Sequence, residues 1–226
     1  MSQGKPAAER AYTHVRNRLL DGSYPGGTLL SEGTVADDLA ISRTPVREAF
    51  LQLQSEGFLR LYPKRGALVV PVTLAEGRET MEARLLLELH ALDSTAARGE
   101  QAVRDLGEAL ATALGDTRAE PLPPSALALD AGWGFHTRLV AASGNTILTG
   151  MYDRLWTRQL RLAAASIATT ENADEDIEEH AAIAEALRLG HAVRARRLIG
   201  LHTNAILRRL GLGDHDLRLP PEPSGR

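Results

Sequence analysis

The chain has 226 residues, 43% of them hydrophobic and 4% aromatic, with a formal net charge of −3. That length suits one large or two small domains, and so few aromatics point to a core of Leu, Ala, Val and Ile such as helical bundles use. Cysteine is absent, which excludes disulfides and thiolate metal sites and points to the cytoplasm. No apolar run is long enough to span a membrane, and the first residues lack a signal peptide's apolar region.

In chain order, Ala11, Val15 and Leu19 mark a first helix that ends near Asp21-Gly22, and Tyr24-Pro25-Gly26-Gly27 is a turn. Thr34 opens a short helix through Val35, Ala36 and Leu39, with Asp37 completing a capping box. The next helix is the most informative. Its first turn reads Ser42-Arg43-Thr44-Pro45, and Pro45 suits that turn. Val46, Ala49, Phe50 and Leu53 recur at i, i+3, i+4 and i+7, so they face a core. Arg43 and Arg47, four apart, share the outward face. Arginine pairs bidentately with guanine and hydroxyls reach phosphates, so this helix is built for a DNA major groove. Gly57 stops it, and Phe58 is the apolar residue expected after a glycine cap. Leu59–Leu61 and Ala67–Val70 read as two strands around a basic tip, Pro63-Lys64-Arg65-Gly66. Three helices and this hairpin predict a winged helix-turn-helix over residues 8–72.

Charge supports the assignment once the chain is divided. Residues 1–72 hold 9 of the 26 Lys and Arg but only 7 of the 29 Asp and Glu. The first part is thus slightly basic and the remainder acidic, with the basic patch at Arg43, Arg47, Lys64 and Arg65.

The stretch resembles the DNA-binding domain of the GntR family of bacterial transcription regulators. PGG at 25–27, SRTPVREA at 42–49, EGF at 56–58 and RGALV at 65–69 carry the resemblance. Gly33-Thr34-Val35 departs from the more usual acidic or polar residue and leucine. The resemblance implies that Ser42, Arg43, Thr44, Arg47, Lys64, Arg65 and Gly66 meet a palindromic operator in double-stranded DNA, and that the chain acts as a homodimer and commonly as a repressor.

The second part reads as helices over residues 73–212. Thr73-Leu74-Ala75-Glu76 is a capping box, followed by Met81, Leu85, Leu89 and Leu92 on one face. Val103, Leu106 and Leu110 mark the next helix, and Gly115 to Pro124, with three prolines, a loop. Further helices are expected near 125–143, 146–169, 173–189 and 192–210, and a disordered tail over 213–226. The fold class is therefore mainly α, a winged helix-turn-helix followed by an all-α bundle.

This half resembles the FCD ligand-binding domain of the FadR subfamily. Arg84 with Glu88, Phe135-His136, A-S-G-N at 142–145, E-H-x-x-I-x-x-A-L at 179–187 and His202 carry the resemblance. It implies control of DNA binding by a small-molecule effector, with Arg84 and Asn145 among its contacts, and in many members a divalent metal held by one aspartate and three histidines.

The histidines have their own pattern. His136 precedes Val140 by one turn, His180 shares a face with Ile183 and Leu187, and His202 aligns with Leu198 and Ile206, so all three point inward. Imidazoles suit zinc or nickel, and three protein ligands leave a position for water or an effector. His14, His90, His191 and His215 lack this setting. The aspartate four residues before the first histidine is Gly132 here, while Asp130, six residues away, lies off that face. A three-histidine site, a site that brings Asp130 round through Gly132 and Gly134, and no metal at all stay open. Arg84 has two readings: an intrahelical pair with Glu88, or a grip on an effector carboxylate, which makes a small organic acid the expected ligand.

Two rivals stand beside the regulator. One is a three-histidine metal-dependent enzyme with an appended winged helix and Glu179 as base. Adjacent helical residues diverge by about 100°, so Glu179 and His180 do not share a face. The other is a sequence-neutral DNA-packaging protein, against which the acidic second half argues. The expected class is a non-enzymatic regulator.

Overall fold

The computed structural model describes residues 6–117, 134–166, 173–212 and 216–219. It divides into two compact units, Met1–Thr73 with Leu160–Ala168, and Leu74–Gln159 with Thr169–Arg226. The last turns of a 21-residue helix, from Leu160 on, are grouped with the first unit.

The first unit is built from α1 (Ala7–Leu20), β1 (Leu29–Leu30), α2 (Glu32–Leu39), α3 (Arg43–Ser55), β2 (Leu59–Tyr62) and β3 (Gly66–Val69). The periodic residues behave as their spacing dictates: Ala11, Val15 and Leu19 of α1 and Val46, Ala49, Phe50 and Leu53 of α3 are buried. The cap of α2 differs from expectation. Ser31, not Thr34, is the N-cap, and its hydroxyl accepts from the backbone N–H of Gly33 and Thr34. Two orphan amides are satisfied one turn earlier than the Thr34–Asp37 pattern suggested. Ala40 then takes a left-handed conformation (φ +51°) and turns the chain into α3. Gly57 (φ +82°) closes α3, and Phe58 N–H returns to the Leu53 carbonyl at 2.9 Å, the bond that ends a helix over a left-handed glycine.

The sheet has three strands in the order β1-β3-β2, all antiparallel. Only two were expected, because two residues of β1 are too few to show alternation. The strand is held by Leu29 opposite Leu68 and Leu30 opposite Ala67, and Gly27 N–H and Thr28 C=O extend the pairing to Val69. Gly66 makes this approach feasible. Its φ is +108°, and a Cβ there would lie 2.2 Å from the Leu30 carbonyl oxygen.

The second unit contains α4 (Leu74–Ala96), α5 (Glu100–Thr117), a helix over residues 134–141 (α6), α7 (Thr146–Ser166) as far as Gln159, α8 (Ala173–Arg188) and α9 (Ala192–Arg209). α8 packs against α5 and α9, and α4 against α9 and α5. Residues Gly115 to Thr117, expected in a loop, continue α5, because no proline interrupts the helical backbone before residue 121. The rest of that expected loop, residues 118–124, and the expected helical stretch 125–133 lie outside the described residues. Among the described residues no helix is long and apolar enough to cross a membrane.

The expected tail is ordered where it is described. Leu217 N–H donates to Asn204 Oδ1 at 2.8 Å, Asn204 Nδ2 donates back to the Leu217 carbonyl at 3.2 Å, and Leu217 is 8% exposed. Leu219 fills the groove left by Gly200 on α9, where a Cβ would lie 2.3 Å from its side chain. A buried amide with both ends paired fixes residues 216–219, so disorder is corrected there; residues 213–215 and 220–226 lie outside the described residues.

Gly107 decides how closely α5 approaches α8: a Cβ would lie 2.3 Å from the Arg188 backbone nitrogen. Gly107→Ala gains about 1 kcal/mol of helix propensity, but backbone cannot give way as a side chain can, and overpacking costs about 1–3 kcal/mol. The expected result of urea unfolding is a net loss of ~1 kcal/mol or more; a gain in stability would show that the two helices are free to part.

Candidate functional site

Four of the residues expected to meet DNA open α3. Ser42 is its N-cap (φ −75°, ψ 165°) with no side-chain capping bond, and Ser42, Arg43, Thr44 and Arg47 are all exposed while the opposite face is buried. The wing tip is a turn closed by Arg65 N–H to the Tyr62 carbonyl at 3.0 Å. Pro63 sets φ for its second position, and Lys64 occupies the third with φ +62°, where glycine or asparagine is usual. A lysine there costs about 1 kcal/mol of backbone strain. It places a cation at the tip beside exposed Arg65. Gly66 is accounted for by the close approach of β1 and needs no DNA to explain it.

The second unit gathers its polar residues in its interior. Thr80, Arg84 and Glu88 recur every four residues on α4 and are buried beside Met81, Leu85 and Leu89. Arg84 is 5% exposed and Glu88 fully buried. Arg84 Nε donates to Glu88 Oε1 at 2.7 Å, and the Tyr152 hydroxyl of α7 donates to the same oxygen at 2.7 Å. His136 from α6, His180 from α8 and His202 from α9 converge on this pair. Arg84 Nη2 lies 2.5 Å from His136 Nε2 and 3.3 Å from His202 Nε2, and His136 Nε2 lies 2.9 Å from His180 Nε2. One ring nitrogen from each of the three lies within 4.8 Å of the others.

The partners assign the protons. A guanidinium can only donate, so Nε2 of His136 and of His202 accept, and both rings carry their proton on Nδ1. The other face of each ring agrees. His202 Nδ1 faces Glu179 Oε2 at 2.6 Å, and His136 Nδ1 lies 3.1 Å from Glu88 Oε1, though out of line for a hydrogen bond. His180 Nε2 lies against the same His136 nitrogen, and its buried Nδ1 has no hydrogen-bond partner among the described residues. Charges follow the same logic. Burial pushes all three histidines below their usual range; Arg84 pushes the same way and Glu88 opposes it without prevailing. Burial works against ionised Glu88, but Arg84 and the Tyr152 hydroxyl overcome it and hold the carboxyl far below the usual range. The interior is thus one ion pair and three neutral imidazoles.

Behind His202 stands a second layer. Glu179 Oε2 also accepts from Arg209 Nη2 at 2.9 Å, and Asp176 Oδ1 from the same nitrogen at 2.5 Å. Glu179, dismissed as a partner for its neighbour His180, holds the histidine of another helix in its tautomer. A carboxylate on the far nitrogen is the usual support of a metal-binding histidine.

Three neutral imidazoles that aim ring nitrogens at one buried point fit a borderline divalent cation. The donors that the sequence reading named come together here, except two. Asp130 lies outside the described residues, as does Gly132. Asn145 is exposed, and its Oδ1 accepts from the backbone N–H of Ile147 and Leu148, capping α7. A short side chain before a helix is a cap more often than a pocket residue. Glu88, Tyr152, Gln159 and Glu179 were missed as site residues. Glu88 had a signal, its place one turn beyond Arg84; Tyr152 and buried Gln159, on α7, had none.

Comparison with known proteins settles the family. The pattern for bacterial regulatory proteins of the gntR family matches residues 7–69, and that for the FCD domain matches residues 79–205. The chain belongs to the GntR family. The order of its two domains is that of the FadR subfamily, and the chain is a DNA-binding transcription regulator with an FCD effector domain. Among relatives, the gluconate operon transcriptional repressor of Bacillus subtilis (strain 168) is 40% identical over 88 residues, covering 39% of this chain and 35% of that protein. An HTH-type regulator from the TAR-I ttuE-ttuC' intergenic region of Agrobacterium vitis is 33% identical over 149 residues, covering 63% of this chain and 82% of that protein. A GntR regulator from Rhodococcus sp. RHA1 shares the fold with a TM-score of 0.66 at 19% identity, over 90% of this chain and 97% of that one. E. coli McbR/YncC does so with a TM-score of 0.59 at 20% identity, over 91% and 97%. None of these supports the enzyme alternative.

The histidines give the FCD domain a pH dependence. In the unfolded chain they titrate near about 6.5, and in the fold at lower pH. Between those values the unfolded chain holds more protons, so stability falls as pH drops below about 6.5 and is unaffected above it. Chelator-treated wild type should therefore lose more thermal stability between about pH 7.5 and about pH 5.5 than His180→Asn. Equal losses would mean that His180 is not held neutral by its surroundings.

Proposed function

We propose that this GntR-family regulator is a cytoplasmic, non-enzymatic repressor that binds a palindromic operator as a homodimer and is controlled by a small organic acid and a divalent metal in its FCD domain. The observation that carries the effector half is the meeting of His136, His180 and His202 with Arg84 in a buried interior.

Two copies of α3 would enter successive major grooves. Arg43 and Arg47 read bases, Ser42 and Thr44 position the helix on phosphates, and Lys64, Arg65 and the bare Gly66 backbone approach from the wing. Support comes from the exposure of these side chains over a fully buried opposite face and from the strained Lys64, whose conformation the fold alone does not favour. Arg43→Ala is expected to lose about 1–3 kcal/mol of discrimination at one operator position. Titration of a set of single-base operator variants checks this, and an unchanged preference at every position removes Arg43 from the reading residues.

In the FCD domain His136, His180 and His202 would hold the metal, zinc or nickel. When bound, the metal supplies a Lewis-acid position for an effector oxygen. The chain's own residues do the rest. Glu179 keeps the His202 proton on Nδ1, Glu88 balances Arg84, and Tyr152 fixes the Glu88 carboxylate. Arg84 still has guanidinium N–H groups for an effector carboxylate beyond the one given to Glu88. The gluconate operon named for one relative makes gluconate a first acid to try. An effector alters DNA affinity only to the extent that it binds the two states of the regulator differently. Protein purified without a tag or chelator should carry about one metal per chain, and His180→Ala should lose it. No metal in either, with no thermal shift on adding zinc or nickel, refutes a metal-dependent effector site.

A further inference from the structure

We infer that Arg84 competes with the metal for its own ligands, so that the FCD site alternates between a guanidinium-filled state and a metal-filled one. The inference rests on the reading of the three histidines as a metal site, and it adds a device that limits how tightly that site binds.

The argument is one of lone pairs. A neutral imidazole has a single in-plane lone pair, on its unprotonated nitrogen. On His136 and His202 that nitrogen is Nε2, the atom a metal at the meeting point would need. Arg84 Nη2 already donates into both, at 2.5 and 3.3 Å. His180 Nε2 crowds the same atom, at 2.9 Å from His136 Nε2. One lone pair cannot hold a guanidinium proton and a cation together, and two cations cannot share a buried site cheaply. Metal entry therefore needs Arg84 to withdraw from both rings. Arg84 need not leave the interior, because its Nε stays on Glu88. An anion that draws the remaining N–H groups aside would favour the same withdrawal. Anion and metal would then raise each other's affinity by one reciprocal factor.

The decisive comparison is zinc affinity, by competition with a chelating dye, for Glu88→Gln and for Arg84→Met/Glu88→Gln. Comparison with the single variant removes the attraction of an unpaired Glu88 from the result. At least tenfold tighter zinc binding in the double variant is expected. Equal or weaker binding overturns the competition while leaving the metal reading intact. Absence of zinc binding in the wild type and both variants overturns the metal reading, and the inference with it. Should the double variant not fold, long-range proton–nitrogen correlation spectra of the wild type decide. One equivalent of zinc should shift the Nε2 resonances of His136 and His202 to metal-bound values and expose the Arg84 guanidinium protons to exchange. Zinc binding that leaves the Arg84 protons protected overturns the proposal.

Discussion

A guanidinium that is 5% exposed needs a carboxylate in contact, and Glu88 meets Arg84 at 2.7 Å from one turn along the same helix. The interior of the FCD domain depends on that contact. An uncompensated buried charge is among the costliest features a fold can carry. With Glu88 ionised, the histidines around the pair have no need to be charged, and burial keeps them neutral. Neutral rings can be read for their protons, and only neutral rings can be metal ligands. Placing both charges on α4 also makes the pair independent of how the other helices pack. α6, α8 and α9 each contribute one imidazole to a charge balance already struck within a single helix.

The winged domain follows a different rule. The residues proposed to meet DNA are exposed and mostly without structural work, while the frame that holds them is closely specified. Phe58 closes α3 through a left-handed glycine, and Gly66 lets a two-residue strand come within reach of the hairpin. Lys64 goes against local preference by adopting a conformation better suited to glycine. Departures of this kind collect where function sets the residue. The FCD interior shows the same tendency in polar groups: Glu88 Oε2, Gln159 Nε2 and His180 Nδ1 are buried without hydrogen-bond partners among the described residues. Buried polar atoms rarely stay unpaired without a ligand, an ion or water to meet them.

Much of this was legible beforehand, for reasons that particular residues show. The helices of both units could be placed because Val46, Ala49, Phe50 and Leu53, or Met81, Leu85 and Leu89, repeat with the helical period. The three histidines could be assigned inward by the same arithmetic. What escaped was decided by few residues or by distant ones. Two residues of β1 show no period, and the choice of Ser31 over Thr34 as a cap turns on local backbone angles. Asn145 matched a family fragment, but its side chain caps a helix. Asn204, on an otherwise ordinary helix, holds a segment thirteen residues away that composition marked as a tail.

The sequence by itself determined the domain order, the exposed basic face of α3 and its buried opposite face, and the set of inward histidines. Each of these depends on spacing within one element, where a helix of known pitch turns a residue number into a direction. Tertiary structure alone decided what those directions meet. That Arg84 points its guanidinium at His136 and His202, that Tyr152 of α7 closes on Glu88, and that Glu179 supports a histidine on α9 all depend on how separate helices pack. Packing brings together residues as far apart as 118 positions, and no periodicity within one helix encodes the distance to another.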